Sequence, residues 1–374
     1  MAGIYIHIPF CKSPCIYCGF YSTTLLDLRK KYINAVCREM ELRKNYIREP
    51  FSTIYLGGGT PSLLDEAELT KLFLYISNVY DVDRNAEMTM ECNPDDITPE
   101  FTNMLNRLPI NRVSMGAQTF ADSRLRLLHR RHNSDEVKHA VKLLREAGIK
   151  NISIDLMFGF PDESLSQWKE DISAALALNV EHISAYSLMY EEDTPLWKML
   201  DTGKVKEIDE ELSLTMFKEL VCQLTDAGYE HYEISNFARP GYRSRHNSSY
   251  WHQVPYIGLG AAAHSFDLNS RQWNVADLKL YIEEINNGII PMEREELDND
   301  TTFNDIITTT LRTSDGINLN GLETRLGKRY RNTLISAAGK HLEQGLLEIR
   351  HDRLRLTSEG IFISDMVMSD LMIV

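Results

Sequence analysis

The chain has 374 residues, 43% hydrophobic and 25% charged, which is enough ordinary globular sequence for one large domain and a smaller one. A net charge of −14 argues against a nucleic-acid binder driven by phosphate contacts, because such a surface needs a basic footprint. No basic-then-apolar leader opens the sequence, no run approaches the ~18 apolar residues of a membrane span, and six cysteines in this length make no disulfide framework, so a reducing cytoplasm is expected.

The chain opens with alternation. Ile4, Ile6 and Ile8 alternate with Tyr5 and His7, which predicts a strand closed by Pro9. Cys11, Cys15 and Cys18 follow in a loop bent by Pro14 and Gly19. Leu25 to Tyr46 has helical spacing. Phe51 to Leu56 reads as a strand ending in Gly57-Gly58-Gly59-Thr60, and Glu66 to Val79 as a helix. Ala86 to Cys92 is a third strand, followed by a short helix around Met104. Arg112 to Gly116, Asn151 to Met157 and His182 to Leu188 are strands four to six, with helices at Ser134 to Ala147, Leu165 to Leu178 and Ile208 to Ala227.

From about Glu230 the pattern changes. Tyr232 to Phe237 reads as a strand, and Arg239 to His264, rich in Gly, Pro, Tyr and His, as loops. Helices are expected at Leu278 to Asn286, Asn299 to Arg312, Leu319 to Leu326, Ser336 to Gln344 and Ser358 to Leu371. Before the last, a hairpin turns at His351-Asp352.

Six strand–helix alternations predict parallel βαβ units with right-handed crossovers. Periodicity does not choose between an open sheet and a barrel. The polar motifs favour the barrel. Cys11 to Cys18, Gly57 to Thr60, Glu91, Gln118 and Asp155 lie at or just after five successive strand ends, and a barrel brings such ends to one mouth.

CxxxCxxC with Tyr17 before its last cysteine points to a metal or cluster site. A closed zinc site wants a fourth ligand, and Cys37, Cys92 and Cys222 are scattered singly. Three thiolates on a four-iron cluster would leave one iron open. The glycines of Gly57 to Thr60 present bare backbone N–H groups and allow close approach. Glu91 ends its strand as a candidate for an ammonium or a hydroxyl pair. Gln118 offers a donor and an acceptor, and Arg130 a bidentate fork for a carboxylate. Asp155 is a lone acid inside an apolar run, costly unless paired. Arg124, Arg126, Arg130 and Arg131, with His129 and His132, form a basic cluster whose default reading is a solvated helix face.

These residues carry a family resemblance. Cys11, Cys15 and Cys18, with Ile16-Tyr17 before the last, resemble the cluster loop of the radical S-adenosylmethionine (SAM) enzymes, and Tyr5-Ile-His-Ile-Pro-Phe10 resembles oxygen-independent coproporphyrinogen III oxidases and their relatives. Those oxidases carry a further cysteine two residues past the third. Phe20 stands there in this chain, as in the HemW branch of haem chaperones. The resemblance implies an α/β fold: a partial (β/α)6 TIM-like barrel of the radical SAM type. The helices and hairpin at the carboxyl end resemble a winged-helix α+β module. It implies a [4Fe-4S] cluster on Cys11, Cys15 and Cys18. It also implies SAM contacts at Tyr5, Tyr17, Gly58, Gly59, Thr60, Glu91, Gln118, Arg130 and Asp155, with Met189 a weaker match. His246-Asn-Ser-Ser-Tyr-Trp251 matches the HNxxYW motif of that branch, which implies haem contacts by His246, Tyr250 and Trp251, since histidine ligates haem iron and the aromatic rings can stack on a porphyrin.

The expected organisation is a barrel over 1–230, a covering segment with the haem motif over 231–290, and the winged-helix-like module over 291–374. The expected function is haem binding and transfer to an acceptor protein, a respiratory haem protein being one candidate. The alternative is radical SAM decarboxylation of coproporphyrinogen III, against which Phe20 counts. A third reading is a binding module on a vestigial barrel. No nucleic-acid partner is expected. The sequence names no acceptor, oligomeric state or SAM turnover, and a transient membrane contact is compatible with it.

Overall fold

The computed structural model describes residues 1–373. Six strands run parallel in chain order: β1 (Ala2–Ile8), β2 (Phe51–Gly58), β3 (Val82–Cys92), β4 (Arg112–Gln118), β5 (Asn151–Phe158) and β6 (His182–Ser187). Each is followed by helix, and the alternation sorts the faces. Ile4, Ile6 and Ile8 are fully buried, while Tyr5 and His7 point to the other face. β1 does not pair with β6, so the barrel stays open, as the family resemblance implies.

The helices form where the capping chemistry places them. In Glu66–Val79, Asp65 accepts from the Glu68 N–H while the Glu68 carboxylate accepts from the Asp65 N–H, a reciprocal capping box. Ser134–Glu146 opens the same way on Asn133 and Glu136.

The second half departs from expectation. The single strand expected from Tyr232 to Phe237 is a hairpin, β7 (Glu230–Glu233) and β8 (Asn236–Ala238), and β8 pairs antiparallel with β6. The Glu233 carboxylate accepts from the Ser235 N–H at 3.0 Å and turns the chain there. The stretch expected as loops holds a helix, Arg245–Trp251, and β9 (Tyr256–Leu259), which lies parallel to β1. β10 (His264–Phe266), β11 (Ser270–Asn274) and β12 (Met292–Glu296) extend the sheet antiparallel beyond β9. Gly258 is needed here, because a Cβ on it would sit 1.9 Å from the His264 carbonyl oxygen.

The last helices also shift. Lys328–Glu343 starts earlier than expected, and the final helix is two, Ser358–Ile361 and Ser364–Leu371. The hairpin is as expected: β14 (Leu347–Arg350) and β15 (Arg353–Leu356) turn on His351 and Asp352, both with positive φ, and β15 also pairs with the two-residue β13 (Ile317–Asn318). This module has its own core around Phe303, Leu334 and Leu354. β12 belongs to the large sheet, so the division expected at residue 291 leaves that strand on the wrong side.

Candidate functional site at the barrel mouth

The loop after β1 is fastened on both flanks. The Cys11 N–H donates to the Thr23 carbonyl at 2.9 Å, and the Leu196 N–H donates to the Ile16 carbonyl at 2.9 Å. Ile16 sits in a small apolar cluster with Leu128, Met157, Phe160 and Leu196, against which Tyr17 packs. The cysteines are thereby held half-buried at the mouth of a cavity of about 440 Å³.

Gly58 and Gly59 fit β2 against this loop. Gly58 has φ 108°, and a Cβ on it would meet the His7 ring at 2.4 Å; a Cβ on Gly59 would meet the Ile8, Pro9 and Phe10 backbone at 2.8–2.9 Å. Thr60 Oγ1 lies 3.5 Å from Cys11 Sγ.

The cavity wall brings the strand-end residues together. Cys11, Cys15, Cys18, Tyr17, Gly58, Gly59, Thr60, Glu91, Gln118, Arg130, Asp155 and Met189 all line it. Glu91 accepts from the Tyr55 hydroxyl at 2.7 Å and from the Gly58 N–H at 3.1 Å. Burial pushes its pKa up to about 7, and Asp155 adds to the rise. Burial also raises Asp155, which accepts from Ser114 at 3.4 Å. Both carboxyls are raised in the fold, so the stability they contribute is present below the ordinary carboxylate range. For Glu91 it is lost as pH climbs through about 7. Arg130 donates to Asn93 Oδ1 and the Gly116 carbonyl, each at 2.7 Å, and to Cys15 Sγ at 3.5 Å.

Tyr5 is not brought to this wall. Its ring lies alongside Tyr55 at 6.2 Å between centroids, and its hydroxyl is 3.0 Å from His7 Nδ1. The basic cluster is not a solvated face either. Arg124 is buried between Glu163 (2.8 Å) and Asp171 (2.9 Å), and Arg131 pairs with Asp95 at 2.8 Å.

The HNxxYW residues differ most from expectation. His246 is 1% exposed, with Nδ1 2.8 Å from Thr53 Oγ1 and Nε2 2.8 Å from the Tyr250 hydroxyl. Its N–H donates to Glu87 at 3.0 Å. Burial lowers its pKa to about 3, so the ring is neutral. Both nitrogens are engaged, and neither offers a lone pair to an iron. Trp251 is half-buried with the Arg312 guanidinium 5.3 Å above its ring. None of His246, Tyr250 and Trp251 lines the cavity, whereas Asn247 does. Sequence reasoning missed Tyr55, Asn93 and Asn247. Tyr55 carried a signal, since it alternates with Thr53 and Gly57 on the face that ends in the glycines.

The thiols fit a cluster. Burial raises the pKa of Cys18 to about 11, with Cys15 and Cys11 adding to the rise, and burial also raises that of Cys11, with a further contribution from Cys15. Among the described residues no group of three His, Cys, Asp or Glu converges on a single ion. A closed zinc site would need such a group, whereas a cubane takes its thiolates on separate irons.

Residues 5–175 match the radical SAM superfamily, and residues 297–363 match the HemN C-terminal domain. The sequence is 33% identical over 371 residues to the heme chaperone HemW of Bacillus subtilis (strain 168), covering 98% of this chain and 98% of that protein. The chain belongs to the HemW family. The heme chaperone HemW of Escherichia coli (strain K12) is 34% identical over 265 residues, 70% of this chain and 69% of that protein. The solved coproporphyrinogen III oxidase HemN of Escherichia coli has the same fold, with a TM-score of 0.85 and 20% identity over 99% of this chain and 89% of that one. Membership of the radical SAM superfamily implies a [4Fe-4S] cluster and SAM. Among the described residues no helix is long and apolar enough to cross a membrane.

Proposed function

We propose that this HemW-family chain binds haem and hands it to an acceptor protein, with a [4Fe-4S] cluster on Cys11, Cys15 and Cys18 and SAM in the cavity beside them. The observation that carries this reading is the cluster loop. It presents three free thiols to the cavity, and Phe20, 71% exposed at the mouth, stands where the oxidases have a further cysteine. When bound, the cluster and SAM supply one-electron chemistry. The chain's own part is positional. Arg130 holds a fixed fork beside Cys15. Glu91 and Asp155 face the cavity with raised proton affinity, and Gln118 adds an amide.

A cationic ligand is held better by an ionised Glu91. SAM affinity of the cluster-loaded protein is therefore expected to strengthen as pH rises through about 7, and to flatten in Glu91→Gln. A pH series of equilibrium dialysis reads this, and a profile unchanged by the substitution would remove Glu91 from the site.

Haem binding is tested by anaerobic titration of the full chain with haem, followed by mixing with an apo haem protein. The expected result is a saturable Soret band that moves to the acceptor. An absence of saturable binding ends the chaperone reading. Because both His246 nitrogens are occupied within the fold, His246→Ala is expected to retain the Soret band. A band lost in that variant alone, with the melting temperature unchanged, would return His246 to the iron. Vinyl product from coproporphyrinogen III, with SAM and reductant, would favour the oxidase reading instead.

A further inference from the structure

Of the HNxxYW motif, Asn247 reaches the cavity wall, while His246, Tyr250 and Trp251 do not. The helix carrying it, Arg245–Trp251, packs against the amino-terminal parts of β1 and β2, where a Cβ built on Gly3 would meet Thr53 Oγ1 at 3.0 Å and the His246 ring at 3.3–3.4 Å. There His246 touches the only aromatic side chain that hydrogen-bonds Glu91 among the described residues. The His246 and Tyr55 rings stack with centroids 5.0 Å apart and planes at 22°. Tyr5 closes the stack, 6.2 Å from Tyr55 and 6.5 Å from His246, each within 28° of parallel. The Tyr55 hydroxyl then donates to Glu91 Oε1 at 2.7 Å. His246 itself cannot swing. Thr53 and Tyr250 hold its ring nitrogens, and Glu87 holds its backbone N–H.

We propose that His246 is a positioning residue for the SAM site: through the flat face of Tyr55 it fixes the hydroxyl that aims the Glu91 carboxylate into the cavity. The inference rests on the reading that SAM occupies this cavity. Four elements meet in the chain of contacts, since His246 comes from the HNxxYW helix, Tyr5 from β1, Tyr55 from β2 and Glu91 from β3. A Tyr55 side chain free to turn about its Cα–Cβ bond would present its hydroxyl over a range of positions, and the carboxylate would lose a charge-assisted partner. The motif thus serves the sulfonium cofactor through its histidine, whichever residue holds haem iron.

A double-mutant cycle on the cluster-reconstituted full chain tests this, with SAM affinity from equilibrium dialysis as the readout. Tyr55→Phe keeps the ring and removes the hydroxyl; it is expected to weaken SAM about tenfold, the scale of a hydrogen bond to a charged group. His246→Gln keeps amide partners for Thr53 and Tyr250 but removes the stacking ring, and is expected to weaken SAM severalfold. His246→Phe, which keeps a flat ring, is expected to recover most of that loss. The double variant Tyr55→Phe with His246→Gln is expected to match Tyr55→Phe alone, because His246 acts only through the hydroxyl. Additive losses would overturn the inference, and so would a His246→Phe variant no better than His246→Gln. If the unmodified protein binds no SAM, the reading of the cavity fails and the inference falls with it. Should His246→Gln not fold, His246→Leu, which also removes the flat ring, completes the cycle alone and combined with Tyr55→Phe.

Discussion

Replacing Cys15 with Ala is expected to abolish the cluster, with loss of the visible iron–sulfur absorbance after anaerobic reconstitution and with it SAM binding. The reason is geometric. On the proposed reading each thiolate would serve its own iron, and the other cysteines cannot substitute. Cys37 and Cys92 are buried in the core, and Cys222 lies exposed on the helix Glu210–Asp226. Arg130 would also lose its sulfur partner at 3.5 Å, leaving a half-buried guanidinium to Asn93 and Gly116. The same result is expected for Cys11 and Cys18. A Cys15→Ala protein that reconstitutes to the normal spectrum would show that the loop is not the cluster site. Iron and sulfide content, measured beside the spectrum, separates a lost cluster from an altered one.

The second large effect concerns the fold. Glu39→Ala is expected to destabilise the protein by about 3–5 kcal/mol, because it strands a buried arginine. Glu39 is fully buried. It accepts from Arg43 Nη1 (3.0 Å), Asn274 Nδ2 (2.7 Å), the Gly260 N–H (2.8 Å) and the Tyr281 hydroxyl (2.6 Å). Arg43 in turn donates to the Gly258 carbonyl at 2.7 Å and to Ser265 at 2.9 Å. One carboxylate therefore ties the first long helix, Arg29–Leu42, to β9, β11 and the helix Leu278–Asn286. Removing both charges, as Glu39→Ala with Arg43→Met, is expected to recover part of the loss, since no unpaired charge remains. Urea unfolding measures both. A Glu39→Ala midpoint equal to that of the unmodified protein would mean that the network carries no net stability.

These two sites divide what the sequence makes visible from what it hides. The cluster loop, the glycines after β2, Glu91, Gln118, Arg130 and Asp155 are legible because parallel strands put their carboxyl ends together, and period-two alternation marks those strands locally. Glu39 is not legible. An acid on an amphipathic helix reads as solvent-facing, and its buried partners Gly260, Asn274 and Tyr281 lie more than 200 positions later, around and beyond the strand at Tyr256–Leu259. That strand is itself hidden, being four residues long, set among Gly, Pro and Tyr, and paired with β1 across most of the chain. Tyr5 and His246 mislead for a related reason. A motif identifies residue types, but Thr53, Glu87 and Tyr250 decide which way the imidazole faces, and none of them carries a sign of that role in the local pattern.

The central claim is that three thiolates carry a cluster whose neighbouring cavity admits SAM. Electron paramagnetic resonance of the reconstituted, reduced protein, recorded with and without SAM, tests it most directly. The account predicts a cluster signal that changes when SAM is added and loses that response in Asp155→Ala. A cluster signal indifferent to saturating SAM, or no signal at all, would contradict it.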